Sequence, residues 1–333
     1  MIKVSKQSNK NMMEIFHRKV ILLIFKWLQK SSETVNSITS FNRYNNFTSE
    51  EIKILKIIFR KQRLKNHLNK ILIFFIEKGD FRNQELRKLK KIYFYQRKQL
   101  KKIYFYQRKQ LKKGNYNLKV IKINPIISEL FNEYFFKDLF ENKNFWNDLV
   151  SKEFSKGIFK KNFKIQVCPY CNTEEMFQIE NYKIDHFLPK SLFPLLSMYY
   201  LNLIPICESC NSSHSGKGDN IIRPINSQFY QEIGENIQFY LDSKNKSVHL
   251  KSNNEEVKNF IKLLKLENKY EIEIIFKTLK NDLKSFGIEL SRGTPERYEE
   301  FYLRQIKYFE GRSLYYVKKY LFKDYIEKQK NPR

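Results

Sequence analysis

Four cysteines fall in two pairs, Cys168-Pro169-Tyr170-Cys171 and Cys207-Glu208-Ser209-Cys210, and the chain contains no others. Two thiolates at this spacing can face one ion, and two such pairs supply the soft ligands of a tetrahedral zinc site. A zinc bound by four sulfurs has no open position, so it holds structure. It would draw together the ends of the segment between the pairs and fix the chemistry which that segment carries.

That chemistry starts at Asp185-His186, followed by Phe187-Leu188-Pro189-Lys190-Ser191. A carboxylate is a hard oxygen ligand suited to magnesium. An imidazole titrates near neutral pH and can serve as a general base. Tyr182–His186 reads as a strand, on which adjacent side chains point to opposite faces. A twist or bend there would let both groups approach one phosphate. Asn202 begins a second strand-like stretch, Leu203–Ile206. Asn211 follows the last cysteine and opens a predicted helix that also carries Lys217. The amide oxygen of Asn211 offers a second neutral, hard ligand. Lys190, Lys217 and Arg223 are cationic groups positioned to meet phosphate oxygens.

Taken jointly, the order CxxC, Asp-His before a proline, Asn-Leu, then CxxC-Asn resembles the HNH endonuclease family in its four-cysteine, zinc-stapled ββα-metal form. The likeness covers residues 163–226. The longer string Asp185–Ser191 with Pro194-Leu195 and Asn202-Leu203-Ile204-Pro205 is similar to stand-alone bacterial HNH proteins, several linked to phage defence and retron-type systems. The resemblance implies that His186 deprotonates the attacking water and that Asn202 orients His186. It implies that Asp185 and Asn211 bind one catalytic Mg2+ or Mn2+, and that Cys168, Cys171, Cys207 and Cys210 hold structural Zn2+. The products would carry 5′-phosphate and 3′-hydroxyl ends, one strand nicked per module. Some family members place a histidine ligand four residues after the Asn211 position. Here that residue is Ser215, with His214 one position short, which leaves His214 as a peripheral ligand, a phosphate contact or an exposed side chain.

The elements that must position this segment make up the rest of the chain. At 333 residues it is long enough for two or three domains and a sizeable core. Residues 1–160 read as mostly helical, 161–226 as the cysteine module, and 227–333 as two short strands followed by helices. The expected class is α+β, a mainly helical chain carrying a small nuclease module. Thr48 and Glu51 fit a capping box, followed by Ile52, Leu55, Ile58 and Phe59 at helical spacing. Strands are expected near Ile237–Leu241 and Ser247–Leu250. A last helix is expected from Thr294-Pro295 toward Lys328, with a break near Gly311. The aromatic residues Phe131, Tyr134, Phe135, Phe136 and Phe140 read as core.

A net charge of +28 points to nucleic acid as partner. Eleven residues, Lys90–Leu100, recur identically as Lys101–Leu111. Eleven residues make close to three helical turns, so the second copy continues the face of the first. This segment (90–111) is either a basic, aromatic arm along a nucleic-acid backbone or a solvated helix whose aromatics pack inward. No apolar run reaches the roughly 20 residues a membrane helix requires, and the N-terminal residues lack the pattern of a signal peptide. These absences point to a cytoplasmic protein, a setting in which thiols stay reduced and zinc is favoured over disulfides.

Two functional readings follow. The first is a metal-dependent endonuclease acting on DNA, with RNA left open, as the effector of an anti-phage defence or restriction system. An ATPase or other defence partner fits the resemblance, and double-strand cutting would require a homo-oligomer or repeated nicking. The second is a zinc-stapled nucleic-acid or protein binding module without catalysis, in which Asp185, His186 and Asn211 are incidental.

Overall fold

The computed structural model describes residues 3–6, 9–34, 47–77, 85–150, 156–178, 182–294 and 297–330. The protein is mainly helical with two small antiparallel sheets, an α+β chain.

The N-terminal region is built from α1 (Lys10–Phe16), a wider π-helical stretch (His17–Ile21), α2 (Leu22–Thr34), α3 (Ser49–Phe59) and α4 (Gln62–Glu77). The start of α3 is fixed by the expected capping box: Glu51 N donates to Thr48 Oγ1, and Thr48 N donates to the Glu51 carboxylate. Two backbone donors with no intrahelical partner are thereby satisfied. The long helix α5 (Glu85–Lys112) carries the duplicated segment and ends before Gly114, whose φ of +84° suits a residue without Cβ. The side chains of 85–98 lie outside the described residues, so the inward or outward packing of the first copy does too.

Beyond Asn124, which caps α6 (Pro125–Glu129), the chain continues as a π-helical segment, Leu130–Phe140. Here Phe131, Tyr134, Phe135, Phe136 and Phe140 are all buried, as their spacing predicts. The helices α7 (Lys143–Val150) and α8 (Lys156–Lys161) complete this half.

The strands β1 (Lys183–His186) and β2 (Leu203–Ile206) pair antiparallel, with Asp185 opposite Ile204 and His186 opposite Leu203. One helical turn follows, α9 (Glu208–Asn211). The second sheet pairs β3 (Gln238–Asp242) with β4 (Ser247–Lys251). It packs against α11 (Leu266–Tyr270), preceded by α10 (Glu255–Leu263), and against α12 (Glu273–Ser291) and α14 (Tyr315–Lys330). Helix α13 (Tyr298–Phe309) precedes a break at Gly311, where one was expected. The expected start at Pro295 lies outside the described residues.

One hydrophobic core, from Val4 to Leu321, runs through all of these segments except α13. A smaller cluster, Phe286, Leu290, Tyr302, Ile306, Phe322 and Ile326, joins α12, α13 and α14. No described helix is long and apolar enough to cross a membrane.

Candidate functional site

The two cysteine pairs meet as expected. All four Sγ atoms lie within 4.8 Å of one another, buried, with Cys171 Sγ 3.9 Å from Cys207 Sγ. A tetrahedral zinc with bonds near 2.3 Å has sulfur–sulfur edges of about 3.8 Å, so the donor set fits that ion. The first pair sits on a tight hairpin in which Cys168 N bonds Glu174 O, Asn172 N bonds Cys168 O, and Val167 bridges Glu175. Burial pushes the Cys171 thiol up, but hydrogen bonds from Cys168, Cys207 and Cys210 outweigh it and hold Cys171 well below the usual thiol range. Cys207 is raised by its bonds to Cys168 and Cys171, and Cys210 chiefly by burial. The sulfurs thus compete for negative charge, and a bound dication would relieve that competition.

The hairpin is also braced from the C-terminal region. Asn172, in the left-handed conformation that asparagine tolerates (φ +60°), is fully buried. Its carbonyl accepts from Leu314 N at 2.6 Å, and its Oδ1 accepts from Tyr316 N at 3.2 Å. Tyr270 donates its hydroxyl to Cys171 O at 2.8 Å.

From this hairpin Tyr170 reaches Asp185. Its hydroxyl donates to Asp185 Oδ2 at 2.6 Å, and burial, then the neighbouring carboxylate, hold its pKa well above the ordinary tyrosine value. Tyr170 is therefore a fixed proton donor to Asp185. The other carboxylate oxygen, Oδ1, accepts from Lys217 Nζ at 2.9 Å. The same ammonium donates to His186 O at 2.9 Å and Gly218 O at 3.1 Å, so its three protons are all used. Lys217 is 1% exposed and Asp185 5%.

The expected helix carrying both Asn211 and Lys217 is not formed. Helix α9 ends at Asn211, and Lys217 arrives on a turn. The reason is a close backbone crossing. Lys217 N bonds Cys210 O at 3.1 Å, and a Cβ on Gly216 would come within 2.2 Å of that oxygen. Only glycine lets the chain fold back over α9, and Gly218, at φ +52°, completes the turn.

His186 is buried beside Asp185 at the end of β1. Its Nε2 lies 3.0 Å from Ser197 O, and its ring meets the Phe136 ring edge-on at 4.7 Å between centroids. A carbonyl can only accept, so this contact assigns the proton to Nε2 and leaves Nδ1 as the basic nitrogen. Ser197 is itself tied by its hydroxyl to Phe131 O on the π-helical segment. Asn202 is fully buried, and its amide is committed to backbone groups. Leu188 N donates to Oδ1 at 2.7 Å, and Nδ2 donates to Leu188 O and Leu196 O at 3.0 and 3.3 Å. It closes the loop that presents Ser197 O, so it bears on His186 through that loop.

The remaining candidates are more dispersed. Asn211 is half-buried at the end of α9, which lies against β1. Lys190 is half-buried, its ammonium 5.6 Å from the centre of the Phe136 ring that flanks His186. The Arg223 guanidinium lies over Phe193 at 5.5 Å, and its Nε and Nη2 are buried without a hydrogen-bond partner among the described residues. His214 is exposed. Asp185 and Asn211 carry oxygen donors of the kind a hard divalent ion takes, but both Asp185 oxygens already accept hydrogen bonds, Oδ2 from Tyr170 and Oδ1 from Lys217. Sequence reasoning did not find Tyr170 as a ligand of Asp185. The available signal was its position inside the first cysteine pair, which forces its side chain to turn with the hairpin.

No family model and no solved structure matches the chain. A stretch of 60 residues is 35% identical to Septu protein PtuB of Bacillus thuringiensis, covering 17% of this chain and 23% of that protein. The chain therefore spans less than a quarter of the relative it matches.

Proposed function

We propose that this protein is an HNH-type endonuclease that hydrolyses DNA phosphodiester bonds in an antiviral defence system. The observation that carries the reading is the pair at the end of β1. His186 has its Nε2 proton fixed on Ser197 O, so its Nδ1 is basic, and the adjacent Asp185 carboxylate is gripped by Tyr170 and Lys217. A base of fixed tautomer beside a positioned carboxylate is what water activation at a phosphate needs.

In this reading His186 Nδ1 takes a proton from the attacking water. Asp185 and the Asn211 amide would hold a Mg2+ or Mn2+ ion, which when bound supplies charge stabilisation at the scissile phosphate. Tyr170 and Lys217 hold the carboxylate in place, and the cysteine cluster, loaded with zinc, holds Tyr170. Lys190 and Arg223 would supply cations to phosphate oxygens. The partial likeness to a Septu protein supports the defence role. A protein partner and oligomerisation, needed for paired nicks, belong to the same proposal.

The burial of Asp185 and His186 favours one competing reading, a zinc-stapled binding module in which the Asp185–Lys217 pair is purely structural. Purified protein should nick supercoiled plasmid with Mg2+ or Mn2+, and His186→Ala should not, with zinc content and DNA affinity unchanged. Equal nicking by His186→Ala would overturn the assignment of the base. Binding without cleavage by wild type, with and without defence partners, would favour the binding module.

A further inference from the structure

The duplicated helix has two unlike faces, and the structure assigns one of them. In the second copy, Tyr104, Gln107, Arg108 and Leu111 are buried at helical spacing. Tyr104 donates or accepts at His17 Nδ1 over 2.6 Å. Arg108 donates to both carboxylate oxygens of Glu14 at 2.9 and 3.0 Å, and its guanidinium lies 4.2 Å over Tyr199. The opposite face is exposed and carries Lys101, Lys102, Phe105, Tyr106 and Lys109, with Phe105 41% and Tyr106 53% accessible. At about 100° per residue these five positions occupy an arc of about 140°.

We infer that this outward face of α5 is a nucleic-acid binding stave, and that the duplication lengthens it. An eleven-residue shift rotates a helix by only about 20° from three full turns, so the repeat places a second identical set of positions on the same face. Each copy adds about 16 Å of helix, close to five phosphate steps of one strand at 3.4 Å. The lysines suit phosphates, and the two ring faces suit stacking on bases. A lipid surface would call for a continuous apolar face, but the apolar side of this helix is spent in the core and the exposed side offers two rings among lysines. Arg108 also ties the helix to Tyr199, in the loop that presents Ser197 O to His186. The helix that would carry a strand on its outward face is thus tied, through its buried face, to the loop that orients His186. The binding itself does not rest on the nuclease reading.

The test uses full-length protein, a fluorescent 30-nucleotide single strand and the matching duplex, with no added divalent metal, across a salt series. Three variants are compared with wild type: deletion of 90–100, which leaves the second copy's sequence and its buried contacts in place; Lys101→Gln with Lys102→Gln and Lys109→Gln; and Phe105→Ala with Tyr106→Ala. Circular dichroism and zinc content serve as folding controls. The lysine variant removes three outward lysines and the deletion removes their sequence counterparts Lys90, Lys91 and Lys98; each should lower the slope of log K against log salt by about 2.7 on the duplex and about 2.1 on the single strand. The corresponding loss is on the order of a hundredfold in affinity at 0.15 M salt. The aromatic variant should weaken single-strand binding roughly tenfold and leave duplex binding nearly unchanged. Unchanged slopes in folded deletion and lysine variants would overturn the inference, as would loss of binding to phosphatidylserine vesicles with nucleic-acid binding intact.

Discussion

Lys217 can be read as the counter-cation of Asp185, and replacing it gives a sharp test. Lys217→Met keeps the length of the side chain and removes its charge. The ammonium now satisfies Asp185 Oδ1, His186 O and Gly218 O, and it is almost completely buried. Removing one member of such a pair leaves an uncompensated carboxylate and should cost about 3–5 kcal/mol, against about 0–1 for an exposed pair. In a urea titration at fixed zinc this is a large shift in midpoint. Asp185→Asn combined with Lys217→Met should recover most of the loss, because no buried charge is left alone and Tyr170 can still donate to the amide oxygen. Divalent metal gives a second readout. With the ammonium gone, Mg2+ should bind at Asp185 and stabilise Lys217→Met by about 1.4 kcal/mol at ten times its Kd, with a smaller effect on wild type. A cost below about 1 kcal/mol, together with no metal-dependent stabilisation, would refute the argument that the pair is buried and that Lys217 fills a cation seat.

Three further outcomes are expected. Cys207→Ser should lose stoichiometric zinc by elemental analysis and make the 163–226 region protease-sensitive, since structural zinc binding is worth about 10 kcal/mol or more; full zinc retention would exclude the cluster as the zinc site. Asn202→Ala should cost about 3 kcal/mol in denaturant unfolding, because Leu188 N, Leu188 O and Leu196 O lose their shared partner in a dry interior. His17 is pulled down to about 3 by burial, then by Arg108 and Lys112, so it stays neutral when folded but would take up a proton near 6.5 when unfolded. The unfolded chain therefore binds more protons between these values, and stability should fall as pH drops from about 6.5 toward 3. His17→Gln should flatten that fall in a thermal-melt series, and an unchanged pH profile would contradict it.

What could be read from the sequence was governed by local rules. Both strand pairs and the capping box at Thr48 follow from patterns within a few residues, and the structure forms them where expected. The gathering of the four cysteines followed from ligand spacing alone. Lys217 could not be placed correctly because the end of α9 is decided by a contact across space, Gly216 against Cys210 O, which has no local signature. Asn202 was expected to orient His186; its amide bonds Leu188 and Leu196, a loop closure visible only in three dimensions. The two faces of α5 do have a signature in the sequence. Tyr104, Arg108 and Leu111 are spaced four and three apart, the signature of a buried stripe within a basic helix.

The arrangement around Asp185 and His186 explains why so much of the chain surrounds so short a motif. Two adjacent residues on a four-residue strand have no means of fixing their own side chains. Here each is fixed from elsewhere: Asp185 by the cysteine hairpin through Tyr170 and by the glycine-flanked turn through Lys217, His186 by the loop through Ser197 and by the π-helical segment through Phe136. The hairpin is braced in turn by Asn172 against Leu314 and the first turn of α14. Each brace comes from a different part of the chain, so the geometry of the pair depends on the whole core being formed. Loss of zinc would release Tyr170 first, and with it one of the two grips on Asp185. His186 would keep its Ser197 contact, because that loop is anchored to the N-terminal half through Phe131. The expected consequence of zinc removal is therefore selective. The carboxylate loses its position before the imidazole does, and a chelator titration followed by NMR of the His186 ring should show its signals persisting after zinc has left.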